Sequence, residues 1–156
     1  MGELHIAFAG PPRTKKNHNR VVQVRTKRGR VAPKVLPSAE YVAWETCSLA
    51  LLRPLLAELH AGRATQAASQ AARVRASAPL RAPLQQPINC CALFYRTALV
   101  GDAVGYYQAL ADLLEKAGVV VNDKWITSWD GSKLLKDAAR PRVELVLTWE
   151  TAEAEG

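Results

Sequence analysis

Several things are scarce in this chain, and each scarcity excludes a class of protein. No apolar run approaches the roughly 20 residues that a bilayer-spanning helix needs. The opening stretch MGELHIAFAG has no basic start followed by a long apolar segment, so no secretory signal is expected and a cytoplasmic location follows. Cysteine is limited to Cys47, Cys90 and Cys91. An odd number with two adjacent makes a poor disulfide framework, and no Cys-x-x-Cys pair or His partner stands at zinc-ligand spacing. The three cysteines are expected to be small buried hydrophobes. No Ser–His–Asp arrangement and no Gly-rich phosphate loop occurs, and His5, His18 and His60 have no suggestive partners. No internal repeat is visible.

What the chain does have is an ordinary domain's worth of apolar residues, 49% of 156 positions. That suffices for one hydrophobic core, so residues 1–150 read as a single domain with a frayed tail at 151–156. Its charge is unevenly placed. The overall net charge is +7, and nine basic residues with no acid fall between Arg13 and Lys34. From Asp102 onward, six Lys or Arg stand against ten Asp or Glu, a net of −4. A basic block of this density suits a polyanionic partner, although a charge run also serves solubility alone. Arg13, Lys15, Lys16, Asn17, Arg20, Lys27, Arg28 and Arg30 are the candidate phosphate-contacting residues.

Periodicity predicts a small mixed sheet with two main helices, an α/β domain. Leu4–Ala9 alternates as a strand and stops at Gly10-Pro11-Pro12. Valines on either side of Lys27-Arg28-Gly29-Arg30 predict a hairpin with a basic tip. Ser38 is a good N-cap for a helix whose core stripe includes Tyr41, Trp44, Ser48, Leu51, Leu52, Leu55 and Leu59, with Pro54 expected to kink or split it. Residues 61–86 hold nine alanines and four arginines without an acid or an aromatic, and read as an inserted surface arm with a helical turn or two. Such an arm is expected to be dispensable for the core. Ile88–Arg96 is a buried strand with Cys90, Ala92 and Phe94 on one side. A second helix follows, with Val104, Tyr107, Ala111, Leu114 and Ala117 as its core face and Gly118 as its stop. Trp125–Trp129 and Val143–Trp149 are the last predicted strands.

Three aspartates could carry chemistry. Asp102 precedes the second helix and fits an N-cap; Asp112 fits a solvated helix face; Asp123 fits a loop. Asp102 and Asp123 flank the segment that leaves a strand and returns from a helix, so a compact fold can bring them together. Two such carboxylates repel unless a cation compensates. Magnesium, a hard ion that takes oxygen ligands, suits such a site and would activate water at a phosphate.

The order of these features resembles the RusA family of Holliday junction resolvases. The resemblance rests on GPPRTKKNHNR after the first strand, on Ser38-Ala39-Glu40-Tyr41 at a helix start, on the stretch from Asp102 to Asp123 with Asp112-Leu113-Leu114-Glu115-Lys116-Ala117-Gly118 inside it, and on Pro141–Leu145. It spans most of the chain except 61–86. It implies a homodimer that binds four-way DNA junctions and nicks them with Mg2+ or Mn2+. It also implies catalytic roles for Asp102 and Asp123, both as metal ligands, and an acid kept at Asp112. Where the family has a second aspartate, an asparagine and a lysine, this chain has Val104, Gly105 and Gln108, and its usual Asp-Asp pair is Asn122-Asp123.

Overall fold

The computed structural model describes residues 1–15 and 20–152. Lys16 and Asn17, two of the candidate phosphate contacts, lie outside them, as do 153–156 of the tail. The observed fold is a mixed α/β arrangement of a seven-stranded sheet, a separate two-stranded sheet and two helices.

β1 (Gly2–Ala9) alternates strictly, with Leu4, Ile6 and Phe8 buried, because a strand places successive side chains on opposite faces. It lies between two antiparallel neighbours, β5 (Ala72–Ala76) and β9 (Arg142–Trp149). β9 also pairs antiparallel with β6 (Ile88–Arg96). The sheet runs β4-β5-β1-β9-β6-β7, where β4 is Gln66–Ala68 and β7 is Ile126–Ser128. β8 (Lys133–Lys136) pairs parallel with the C-terminal half of β6. The polar ends of that strand, Lys133 and Lys136, hid it from periodicity.

The core forms between the helices and one face of this sheet. Helix α1 (Ala39–His60) starts where Ser38 accepts the Tyr41 N–H at 3.1 Å. It buries Tyr41, Trp44, Ser48, Leu52, Leu55, Leu56 and Leu59. Pro54 neither ends nor splits it: one helix runs through, with a single main-chain bond lost at the proline. Helix α2 (Ala103–Lys116) ends at Ala117, and Gly118 takes the left-handed φ of 79° that closes it.

Three expectations are corrected. Residues 61–86 are not a surface arm. They contribute β4 and β5, and Ala72, Val74, Ala76, Leu80 and Leu84 are buried in the core. Small residues suffice here because β5 fills the space beside β1, in register from Phe8↔Ala72 to Leu4↔Ala76. Leu84 then ties the segment to the far side of α2, since its N–H donates to Val119 at 2.8 Å and its carbonyl accepts from Val121 at 3.0 Å. The stretch from Trp125 to Trp129 is only in part a strand: a 3-10 turn at Asp123–Trp125 precedes β7. Of the cysteines, Cys90 alone is buried, Cys91 is half-buried and Cys47 is exposed on α1; all are free thiols. Burial, and then the neighbouring Cys91, pushes the Cys90 thiol up.

The basic hairpin is as expected: β2 (Arg20–Arg25) pairs antiparallel with β3 (Val31–Leu36) and closes through Thr26–Arg30, with Gly29 at φ 78°. Among the described residues, no helix is long and apolar enough to cross a membrane.

Candidate acidic groove and basic surface

Helix α2 is held at its start by the end of β6. Arg96 is buried and donates to the carbonyls of Leu135 at 3.2 Å and Val100 at 3.1 Å, while the Tyr106 hydroxyl donates to Val100 at 2.7 Å. This fixes the loop that delivers Asp102. Asp102 is the N-cap: its Oδ1 accepts the Gly105 N–H at 2.7 Å, and the residue is otherwise exposed. Gly105 at the position after Val104 is a close fit, since a Cβ there would stand 2.8 Å from Asp102 Oδ1 and 3.2 Å from Thr14 Cγ2.

The core face of α2 agrees with the expected one at Ala111, Leu114 and Ala117 and departs from it at Val104 and, in part, Tyr107. Tyr106, Ala109, Leu110, Leu113 and Leu114 are buried, whereas Val104 is 56% exposed. The helix is rotated so that Val104, Tyr107, Gln108, Ala111 and Asp112, spaced i, i+3, i+4, i+7 and i+8, border a groove. Lys15, Asp123, Ile126 and Trp129 complete its lining, and it encloses about 590 Å³. The rings of Tyr107 and Trp129 stack across it, 4.5 Å apart and 3° from parallel.

Asp112 and Asp123 therefore share a groove, and Asp102 is not among its lining residues. Asp102 lies ten residues before Asp112 on the same helix, about 15 Å along its axis at 1.5 Å per residue. Asp123 is exposed at the start of the 3-10 turn, which Asn122 caps by accepting the Lys124 N–H at 3.0 Å. Asp112 is half-buried and ion-paired to Lys15.

Lys15 reaches Asp112 from the loop after β1, and its ammonium also lies 5.7 Å from the centre of the Tyr41 ring. Beneath it, the Tyr41 hydroxyl donates to Glu45 Oε2 at 2.7 Å, and Lys116 donates to Glu45 Oε1 at 2.7 Å, joining α1 to α2. Burial alone would raise the Glu45 carboxyl, but hydrogen bonds from Lys116 and Tyr41 hold it below its ordinary value. Burial, reinforced by Glu45, pushes the Tyr41 hydroxyl up. Sequence reading passed over this network, whose signal was the Tyr41–Glu45 spacing of four on one helix face.

The basic candidates divide. Arg13 is half-buried and faces a smaller hollow with Glu40 and Arg96. Lys27, Arg28 and Arg30 are exposed at the hairpin tip. Arg20 begins β2, and its side chain lies outside the described set. Among the described residues, no group of three or more His, Cys, Asp or Glu is placed to hold a metal ion. No protein-family model matches the chain, and no curated protein matches it either.

Proposed function

We propose that this protein binds branched DNA and cleaves it with a divalent cation, as a metal-dependent endonuclease of the kind the RusA resemblance implies. One observation carries the reading. Asp112 and Asp123 line a single groove together with Lys15, which belongs to the basic N-terminal block. The donor chemistry fits magnesium or manganese in a minimal way: hard oxygens from two carboxylates suffice when water and substrate phosphate complete the shell. Asp123 and Asp112 would hold the ion, with Asp102 setting the start of α2. When bound, such an ion polarises a phosphodiester and makes a coordinated water acidic.

The rest is done by the chain itself. Lys15 compensates the Asp112 carboxylate in the free protein, so two carboxylates can share a groove without strong repulsion. A phosphate entering the groove offers Lys15 a second anion. The exposed Lys27, Arg28 and Arg30 would supply further phosphate contacts from a separate sheet. A homodimer would present two such grooves to the two strands of a four-way junction, acting on DNA in the cytoplasm.

A second reading is favoured by a specific observation. Asp102 is engaged in capping and Asp112 in an ion pair, and Val104 and Gln108 face the groove where ligand or cation would be useful. On that reading the protein binds junctions without cutting them. The deciding experiment incubates a labelled four-way junction with wild type, Asp123→Asn, Asp112→Asn and Asp102→Asn across a Mg2+ and Mn2+ titration. Metal-dependent nicking lost in Asp123→Asn and Asp112→Asn supports the proposed site. Nicking that survives Asp112→Asn but not Asp102→Asn moves the second ligand to Asp102. A wild type that binds the junction and never cuts it establishes the second reading.

A further inference from the structure

The two-stranded sheet is an outlying ribbon. Among the described residues, neither β2 nor β3 packs substantially on any other element. Its register is Val21↔Val35, Gln23↔Pro33 and Arg25↔Val31, and directly opposed residues share a face. All six of these residues are exposed, with Val21, Val31 and Val35 at 66%, 61% and 63%. The other face differs: Val22, Val24, Ala32 and Leu36 are half-buried, and Lys34 opposite Val22 is exposed. Among the described residues, the exposed face is therefore unpartnered, and it leads into a tip carrying Lys27, Arg28 and Arg30.

Resting on the reading that the chain binds DNA, we propose that this ribbon enters the major groove of a duplex arm and reads base edges through Gln23 and Arg25. Size and charge select this occupant. Paired strands lie about 4.8 Å apart, so the ribbon with its side chains fits a groove about 12 Å wide that admits a two-stranded ribbon. No acid occurs between Arg13 and Lys34, so nothing on the ribbon repels phosphate. The side-chain types match the groove's surface: Arg pairs with guanine O6 and N7, Gln with adenine N6 and N7, and valine methyls meet the thymine methyl. The tip cations would clamp the backbone at the end of the groove. Solubility alone would not place three valines among the charges on an open face.

The test is dimethyl sulfate footprinting of a synthetic four-way junction with mixed-sequence arms, bound by wild type and by Gln23→Ala/Arg25→Ala. Guanine N7 lies in the major groove and adenine N3 in the minor. The expected result is protection of guanine N7 in an arm, lost in the double variant. The preference among arm sequences selected from a randomised pool should fall roughly five- to hundred-fold. A complex that forms with guanine N7 fully reactive, or with adenine N3 protected instead, overturns the ribbon while leaving DNA binding standing. Absence of any complex overturns both readings. Sedimentation of the protein alone addresses the rival occupant: a dimer abolished by Val21→Thr/Val35→Thr would assign this face to a second copy and overturn the proposal.

Discussion

Leu84→Ala tests whether the 61–86 segment belongs to the core. Leu84 is 6% exposed, and its main chain bridges Val119 and Val121 just before the turn that carries Asp123. Alanine keeps both main-chain bonds, so the change isolates the side chain. Removing a buried leucine to the β-carbon typically costs about 2–5 kcal/mol, the spread reflecting how far the site collapses. In a domain of this length each kcal/mol lowers the melting temperature by about 2–4 °C, so a fall of roughly 5–15 °C is expected. The control is Gln85→Ala, at the adjacent exposed position, expected within about 0.5 kcal/mol of wild type. Thermal unfolding followed by circular dichroism, with urea titration for the free energy, reads both. A Leu84→Ala melting temperature within about 2 °C of wild type would refute the reasoning and return 61–86 to a dispensable arm.

The other predictions concern α2 and the charges around it. Asp102→Ala removes the N-cap and should cost about 1 kcal/mol in urea unfolding, while Asp102→Asn stays near wild type, because asparagine caps about as well. Gly105→Ala would ordinarily stabilise a helix by about 1 kcal/mol. Here the added Cβ would meet Asp102 Oδ1 at 2.8 Å, so the variant should melt below wild type, and a higher melting temperature would show that the cap yields freely. The Glu45 carboxyl is held below its ordinary value of 4.5, so its contribution is present above that pH and fades as pH falls through the lower folded value. The stability gap between wild type and Glu45→Gln should accordingly be widest at neutral pH and narrow below about 4.5. Replacing Lys27, Arg28 and Arg30 by alanine should flatten the slope of log affinity against log salt by roughly 0.9 for every phosphate those side chains neutralise in wild type; an unchanged slope removes the tip from the interface.

Much of the fold was legible because its elements obey local rules. β6 runs from Ile88 to Arg96 with alternate residues buried, the hairpin forms around the Gly29 turn, and Ser38 and Gly118 mark a helix start and a helix end. The failures share a physical cause. β5 is built from Ala72, Val74 and Ala76 between arginines, a strand whose apolar side is too small to register as a core, and pairing with β1 and β4, with α1 packed on it, makes it one. β8 is held by its parallel pairing with β6, a partner some forty residues away in sequence, which no local pattern announces.

The part of the α2 face that was misread, Val104 and Tyr107, bears most on function, while Ala111, Leu114 and Ala117 are buried as expected. Two apolar stripes run along that helix. One, Tyr106, Ala109, Leu110, Leu113, Leu114 and Ala117, contains no polar residue and is the core. The other, Val104, Tyr107 and Ala111, interleaves with Gln108 and Asp112, and it borders the groove. Periodicity alone scores both as amphipathic. The composition of the stripe separates them: a buried Gln or Asp at helical spacing would need partners that a packed core does not offer. Once the clean stripe is assigned to the core, Asp112 must face the groove, and Tyr107 beside it lies at the boundary between groove and core. The same rotation that exposes Val104 carries Asp112 toward Lys15 and Asp123 and turns Tyr107 onto Trp129. The groove is thus a consequence of which stripe the sheet accepts. A substitution that swapped the two, such as Leu110→Gln with Gln108→Leu, would be expected to destroy the core and the groove together.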